Sequence, residues 1–171
     1  MTKTIGLYAG SFDPITRGHL DIVEKALKTF DEVHIAVGVN PSKNGMFEVD
    51  DRLRLIAKSV NEKWPDHAPL VDGRVRVSCW RGRSVTRYAV EMKCTHLIRG
   101  LRQSSDFDDE FRYHGVCERL DGDLTMVHFI CQEQFLHVSS STARELAGLG
   151  EDTSWLVMPC VGAALKEKSN G

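Results

Sequence analysis

Four short segments of this 171-residue chain collect side chains able to hold phosphate groups. The first, GSFDPITRGH, runs from Gly10 to His19 and combines turn-forming glycine and proline with the Ser11 hydroxyl, the Phe12 ring and the His19 imidazole. The second, NPSKNGMF, carries Lys43; the third, IRGLRQSSDFDDE, carries Arg99, Arg102 and Glu110; the fourth, VSSSTARE, runs from Val138 to Glu145. Arginine offers a planar fork that suits phosphate bidentately, whereas lysine acts as a compact point charge. Gly18 and Ser139 each stand where a helix opens, and helix N-termini expose unpaired N–H groups and a partial positive charge. The set suits a triphosphate and a second phosphate. No GxxxxGK[ST] occurs, so a P-loop is disfavoured.

These segments need elements to position them. Thr4 to Tyr8 is a short β-branched, apolar run closed by Gly10, Asp13 and Pro14, which predicts a buried strand and a loop. From Gly18, the residues Leu20, Val23, Leu27 and Phe30 recur at helical spacing. Val33 to Val39 reads as a strand, and Leu53, Ile56, Ala57, Val60 and Trp64 as one helical face with Asp50 and Asp51 in the first turn. After a loop from Pro65 to Gly73, strands are expected at Val75–Cys79, His96–Ile98 and Leu124–Cys131, and helices at Ser84–Met92, Ser105–Leu120, Ser139–Leu146 and around Val161–Lys166. The alternation predicts an α/β fold in one domain spanning residues 1–171: a Rossmann-like, doubly wound sheet of about five parallel strands with helices on both faces. In such sheets ligands bind beyond the carboxyl ends of the strands, which is where all four segments fall.

Composition narrows the classes. Hydrophobic residues make up 42% and charged residues 27%, ordinary for a globular protein. A net charge of -2 gives no bulk attraction to nucleic acid. The five cysteines form no CxxC pair and read as reduced, cytoplasmic thiols, with neither zinc site nor disulfide framework indicated. No window approaches the ~18 apolar residues of a membrane span, and no signal peptide is evident.

GSFDPITRGH is similar to the (T/S)xGH signature of the nucleotidyltransferase superfamily, and VSSSTARE looks like its partner motif. With NPSK followed by MF, and LIRGLR followed by DF and a downstream Glu, the chain resembles the bacterial phosphopantetheine adenylyltransferases across residues 5–145. That resemblance implies transfer of AMP from ATP to 4'-phosphopantetheine, with magnesium arriving with ATP rather than on a protein site. It implies direct in-line attack without a covalent enzyme intermediate, His19 as transition-state stabiliser, and Lys43 and Arg99 holding the acceptor phosphate. Ser11 would touch both ligands, and Val85 would line the pantetheine arm. ATP would be contacted by Ser11, Phe12, His19, Gly100, Leu101, Arg102, Glu110, Phe135, Leu136, His137, Val138, Ser139, Ser140 and Ser141. A homohexamer and feedback by coenzyme A are further implications. The chain departs from the family pattern at Asp109, where Tyr is common, at Phe135, where Trp is common, and in a longer segment at 61–74.

Blander readings compete. A histidine near a helix start more often caps or packs than catalyses, and His34, His67, His96, His114, His128 and His137 are read that way; for His19 the surrounding decapeptide reverses the odds. The bland reading of Arg99 and Arg102 pairs them with Asp106, Asp108 or Asp109 at the surface; the functional reading is put ahead because both follow a strand. The run Arg74, Arg76, Arg81, Arg83 and Arg87 is read as a solvated or intersubunit face. Rival functions are adenylation of nicotinamide or nicotinate mononucleotide, suggested by SSTAR, a cytidylyltransferase, and a non-catalytic nucleotide- or RNA-binding module.

Overall fold

The computed structural model of the chain describes residues 3–39, 45–66, 69–120 and 124–169. Its strands are β1 (Ile5–Gly10), β2 (Glu32–Val39), β3 (Val75–Arg81), β4 (His96–Leu101) and β5 (Thr125–Ile130). Its helices are α1 (Arg17–Leu27), α2 (Val49–Lys63), α3 (Val85–Glu91), α4 (Ser104–Leu120), α5 (Ser140–Gly148) and α6 (Pro159–Ser169). Neighbouring strands pair in parallel in the order β3-β2-β1-β4-β5. The expected Rossmann-like sheet is therefore present. Among the described residues no helix is long and apolar enough to cross a membrane.

Side chains alternate across each strand, so the sheet feeds two cores. Tyr8, Val33, Ile35, Val37 and Ile98 pack with residues of α1, α2, α5 and α6, such as Val23, Ile56, Ala143 and Leu165. Leu7, Ala9, Ala36 and Leu97 pack with Val85 and Ala89 of α3 and Cys117 of α4. The chain lays β1, β2 and β3 outward in one direction, then returns to set β4 on the free side of β1. Crossovers leaving β1 and β4 thus diverge, opening a crevice at the carboxyl ends of those two strands.

Two local expectations are corrected. The strand expected to stop at Ile98 continues to Leu101, because Arg99, Gly100 and Leu101 stand in register with His128, Phe129 and Ile130 of β5. Backbone pairing, rather than apolar pattern, sets that length. A 3-10 turn at Glu133–Phe135, not anticipated, leads into α5. In the basic run, Arg76 pairs with Glu32 at 2.5 Å, Arg83 with Glu91, and Arg74 donates to the Leu27 carbonyl.

The loop between β1 and α1 is held from three sides. The buried Asp13 carboxylate accepts the N–H groups of Met46 (2.8 Å) and Phe47 (2.9 Å) and lies 3.4 Å from Arg52 Nε on α2. A side chain at Gly45 would collide with Arg52 and with the Asp13 carboxylate, so glycine is what lets them approach. From α5, Ser140 Oγ donates to the Pro14 carbonyl at 2.8 Å and Arg144 donates to the Asp13 carbonyl. Removing the carboxylate strands the Met46 and Phe47 N–H donors and takes the counter-charge from Arg52, which keeps only carbonyl acceptors at Phe47 and Ser11. Asp13→Ala should therefore lower unfolding stability by about 3 kcal/mol, measured by urea denaturation, with Asp13→Asn recovering part of the loss; a change within ~0.5 kcal/mol, as at an ordinary surface site, would contradict this account.

Candidate active site

Helix α1 begins with a reciprocal cap. Thr16 is the cap residue, and its Oγ1 accepts the His19 N–H at 3.3 Å. In return the Thr16 backbone N–H donates to His19 Nδ1 at 3.1 Å, and Thr16 Oγ1 lies 3.0 Å from the same nitrogen. This is the arrangement of a capping box, with imidazole in the place usually taken by a carboxylate. A backbone N–H only donates, so Nδ1 must present its lone pair and the ring proton resides on Nε2. Burial pushes the His19 pKa down to about 4, and the Arg102 charge adds to the shift. At neutral pH His19 is a neutral imidazole with Nε2–H as donor.

The ring is held from beneath. Phe12 meets it edge-on at 5.0 Å between centroids and meets Tyr8 at 5.3 Å. Phe12 is 2% exposed and sits at φ 44°, a left-handed conformation that costs a non-glycine residue about 1–3 kcal/mol. Burial of the whole ring offsets that strain. Gly100 lets β4 close on α1: a Cβ there would lie 2.9 Å from Ile22 Cγ1.

Cations and helix starts complete the site. Arg99 Nε and Nη2 grip Glu110 of α4 at 2.6 and 2.5 Å, and its guanidinium stacks 5.2 Å from the Tyr113 ring. Arg102 Nε lies 3.5 Å from Asp106, and its Nη1 donates to the Val138 carbonyl at 3.3 Å. Ser139 caps α5, its hydroxyl accepting the Thr142 N–H at 3.0 Å, which leaves the first-turn N–H groups of Ser140 and Ser141 without intrahelical acceptors. The Arg17 N–H is taken by the Leu156 carbonyl, so the Gly18 N–H is the donor of α1 left to face the crevice.

These groups surround a cavity of about 310 Å³ at the β1/β4 switch point. Of the residues singled out from sequence, Ser11, Phe12, His19, Arg99, Gly100, Arg102, Glu110, Val138, Ser139, Ser140 and Ser141 line it together. Leu101, Phe135, Leu136 and His137 do not; the Phe135 side chain backs Gly18, its Cβ 3.7 Å from where a Gly18 Cβ would stand. Val85 lies in the core beneath α3. Lys43 falls outside the described residues. Sequence reasoning passed over Tyr8, Thr16, Ile22 and Cys131, which also line the cavity. Thr16 was legible as the cap three residues before His19; the other three look like core residues until the fold turns them toward the crevice. The ion-pair reading holds for Arg102 with Asp106, whereas Arg99 chooses Glu110. Among the described residues no group of three or more His, Cys, Asp or Glu is arranged to hold a metal.

Comparison with known proteins agrees with this geometry. The profile of the cytidylyltransferase-like family matches residues 7–146. The chain is 38% identical over 168 residues to the phosphopantetheine adenylyltransferase of Syntrophotalea carbinolica, covering 98% of this chain and 95% of that protein. It is 39% identical over 163 residues to the protein of the same name from Roseiflexus castenholzii, with 95% and 96% covered. A Vibrio parahaemolyticus structure described as a candidate nicotinate-nucleotide adenylyltransferase shares the fold, with a TM-score of 0.71 over 99% of this chain and 98% of that one at 19% identity. With such identity sustained over almost the full length of both partners, the chain belongs to the cytidylyltransferase-like family and, within it, to the phosphopantetheine adenylyltransferases.

Proposed function

We propose that this protein transfers the adenylyl group of ATP to 4'-phosphopantetheine, giving dephospho-coenzyme A and pyrophosphate. The observation that carries the chemistry is the His19 Nε2–H, a fixed neutral donor in a cavity that also presents Arg99, Arg102 and the start of α5. A phosphate oxygen of the acceptor attacks the α-phosphorus of ATP in line; the new P–O–P bond forms as the bond to the pyrophosphate oxygen breaks. The acceptor phosphate is already an anion and needs no base. His19, with Nδ1 committed to Thr16, cannot accept a proton at Nε2, so it acts by donating to the α-phosphate oxygen as charge builds. Arg102 and the α5 N–H groups take the β- and γ-phosphates, while Arg99 and Lys43 take the acceptor phosphate. No activated serine is required, consistent with direct transfer.

Magnesium enters with ATP in this reading. The cavity wall offers one carboxylate among the described residues, Glu110, and Arg99 engages it, so phosphate oxygens rather than a protein cage would hold the ion. Cytoplasmic residence, a homohexamer and feedback by coenzyme A complete the proposal on family grounds. The mononucleotide acceptors remain the second reading, favoured only by the SSTAR segment at the start of α5.

Two measurements test this. Purified protein with magnesium-ATP should release pyrophosphate and form dephospho-coenzyme A with 4'-phosphopantetheine and not with nicotinamide mononucleotide, and His19→Ala should lose about 10²–10³-fold in kcat, the range seen on removing one preorganised donor; product only with the mononucleotide would reassign the acceptor. The second concerns pH. His19 has its pKa lowered in the fold from 6.5 to about 4, so the unfolded chain binds more protons between those values and stability is lost as pH falls from about 6.5 to about 4. His19→Gln should flatten that part of the stability profile, and kcat of the parent should show no inflection near pH 6.5 from this residue.

A further inference from the structure

The Arg99–Glu110 contact occupies the place where the reading above puts the acceptor phosphate. Two carboxylate oxygens on the guanidinium fork present what two phosphate oxygens would present. The pair is also substantially withdrawn from water, with side chains 30% and 15% exposed. A phosphate that takes the Nε–Nη2 edge of Arg99 must displace Glu110 from it, and a carboxylate released there needs another partner.

The adjacent strand supplies one. His128 of β5 is the register partner of Arg99, a neighbouring-strand separation of about 4.8 Å. Both project to the α4 side of the sheet, as Leu97 and Met126 do two residues earlier on each strand. Nε2 of His128 is buried and has no hydrogen-bond partner among the described residues, and the same is true of Nδ1 of His114, one turn beyond Glu110 on α4. Buried polar nitrogens left unpaired are uncommon and call for an explanation. His114 spends its other nitrogen on Glu118, at 3.3 Å. The titratable groups acting on His128 are Glu110 and His114 from α4 and Arg99 from β4, and Tyr113 and Cys117 of α4 stand on the far side of that group, against Arg99 and Glu110. Burial keeps the His128 pKa below its usual value, with the Glu110 charge pulling the other way. Freed from Arg99, that charge acts on the imidazole without a guanidinium beside it.

We propose that Glu110 is an internal stand-in for the acceptor phosphate on Arg99, and that His128 takes a proton from solvent to hold the carboxylate once the phosphate displaces it. The proton taken up matches the carboxylate released: imidazolium rests on carboxylate, and Arg99 offsets one of the two charges of the phosphate dianion. His128 is a positioning residue, acting through Glu110. The proposal rests on Arg99 as the holder of the acceptor phosphate.

The experiment is calorimetric titration of the whole protein with 4'-phosphopantetheine, without ATP, at neutral pH in two buffers of different ionisation enthalpy. The parent should take up protons on binding. Glu110→Gln should bind about tenfold more tightly, since the competing charge-assisted bonds are weakened, and without proton uptake. His128→Gln should bind about tenfold more weakly, also without uptake, and His128→Asn, read by the same heats, guards against a variant that folds poorly. Proton uptake that is absent in the parent, or persists in His128→Gln, overturns the proposal. If Arg99→Met abolishes binding while Glu110→Gln leaves affinity unchanged, the stand-in is refuted and the role of Arg99 survives; if Arg99→Met binds normally, the reading of Arg99 fails and the proposal with it.

Discussion

The hydrogen bond from the Thr16 backbone N–H to His19 Nδ1 governs more than its own helix. It makes His19 part of the cap that starts α1, so a residue lining the cavity is also the residue that ends the loop before it. It decides which ring nitrogen bears the proton, and therefore whether the imidazole can give or take one. It holds the ring in a fixed plane edge-on to Phe12, whose unfavourable backbone angle is offset by burial of its own ring. Catalysis by positioning needs groups that do not reorganise during the reaction, and this cap removes the freedom of His19, the donor in the proposed transfer.

Much of the architecture was legible because each helix and strand carries its own period. The spacing of Leu20, Val23 and Leu27 and the β-branched run at β1 are local signals. The lengths of elements were less so: Arg99-Gly100-Leu101 has no strand pattern of its own and becomes strand because β5 lies beside it. The residues of the site were legible as types in the right loops, and their alliances were not. Nothing local ties Asp13 to the N–H groups of Met46 and Phe47, or Arg99 to a carboxylate eleven residues on rather than to nearer acids. Such pairings are settled by where a crossover sets a side chain down. Val85, placed by counting residues from a motif, packs among the core residues on the α3 side of the sheet.

The cavity also shows how a site for polyanions stays stable without its ligand. Arg99 and Arg102 are each attended by an acid on α4, Glu110 and Asp106, and by backbone carbonyls of Ala9 and Val138. Unpaired cations so close together would repel; the two acids mute that repulsion while keeping the guanidinium forks aimed at the crevice. A helix that supplies the counter-charges is well placed to respond when they are replaced.

The bonds from Ser140 and Arg144 to the backbone at Pro14 and Asp13 join positions 126 and 131 residues apart. Part of what fastens the GSFDP loop therefore lies far downstream on α5, while Met46, Phe47 and Arg52 hold it from nearby in the chain. A chain that has folded β1, β2 and β3 without α5 therefore carries a half-fastened loop, and the cavity wall is complete only once α5 docks. Docking of α5 and closure of the cavity are thereby a single event, which keeps partly folded chains from presenting a finished crevice.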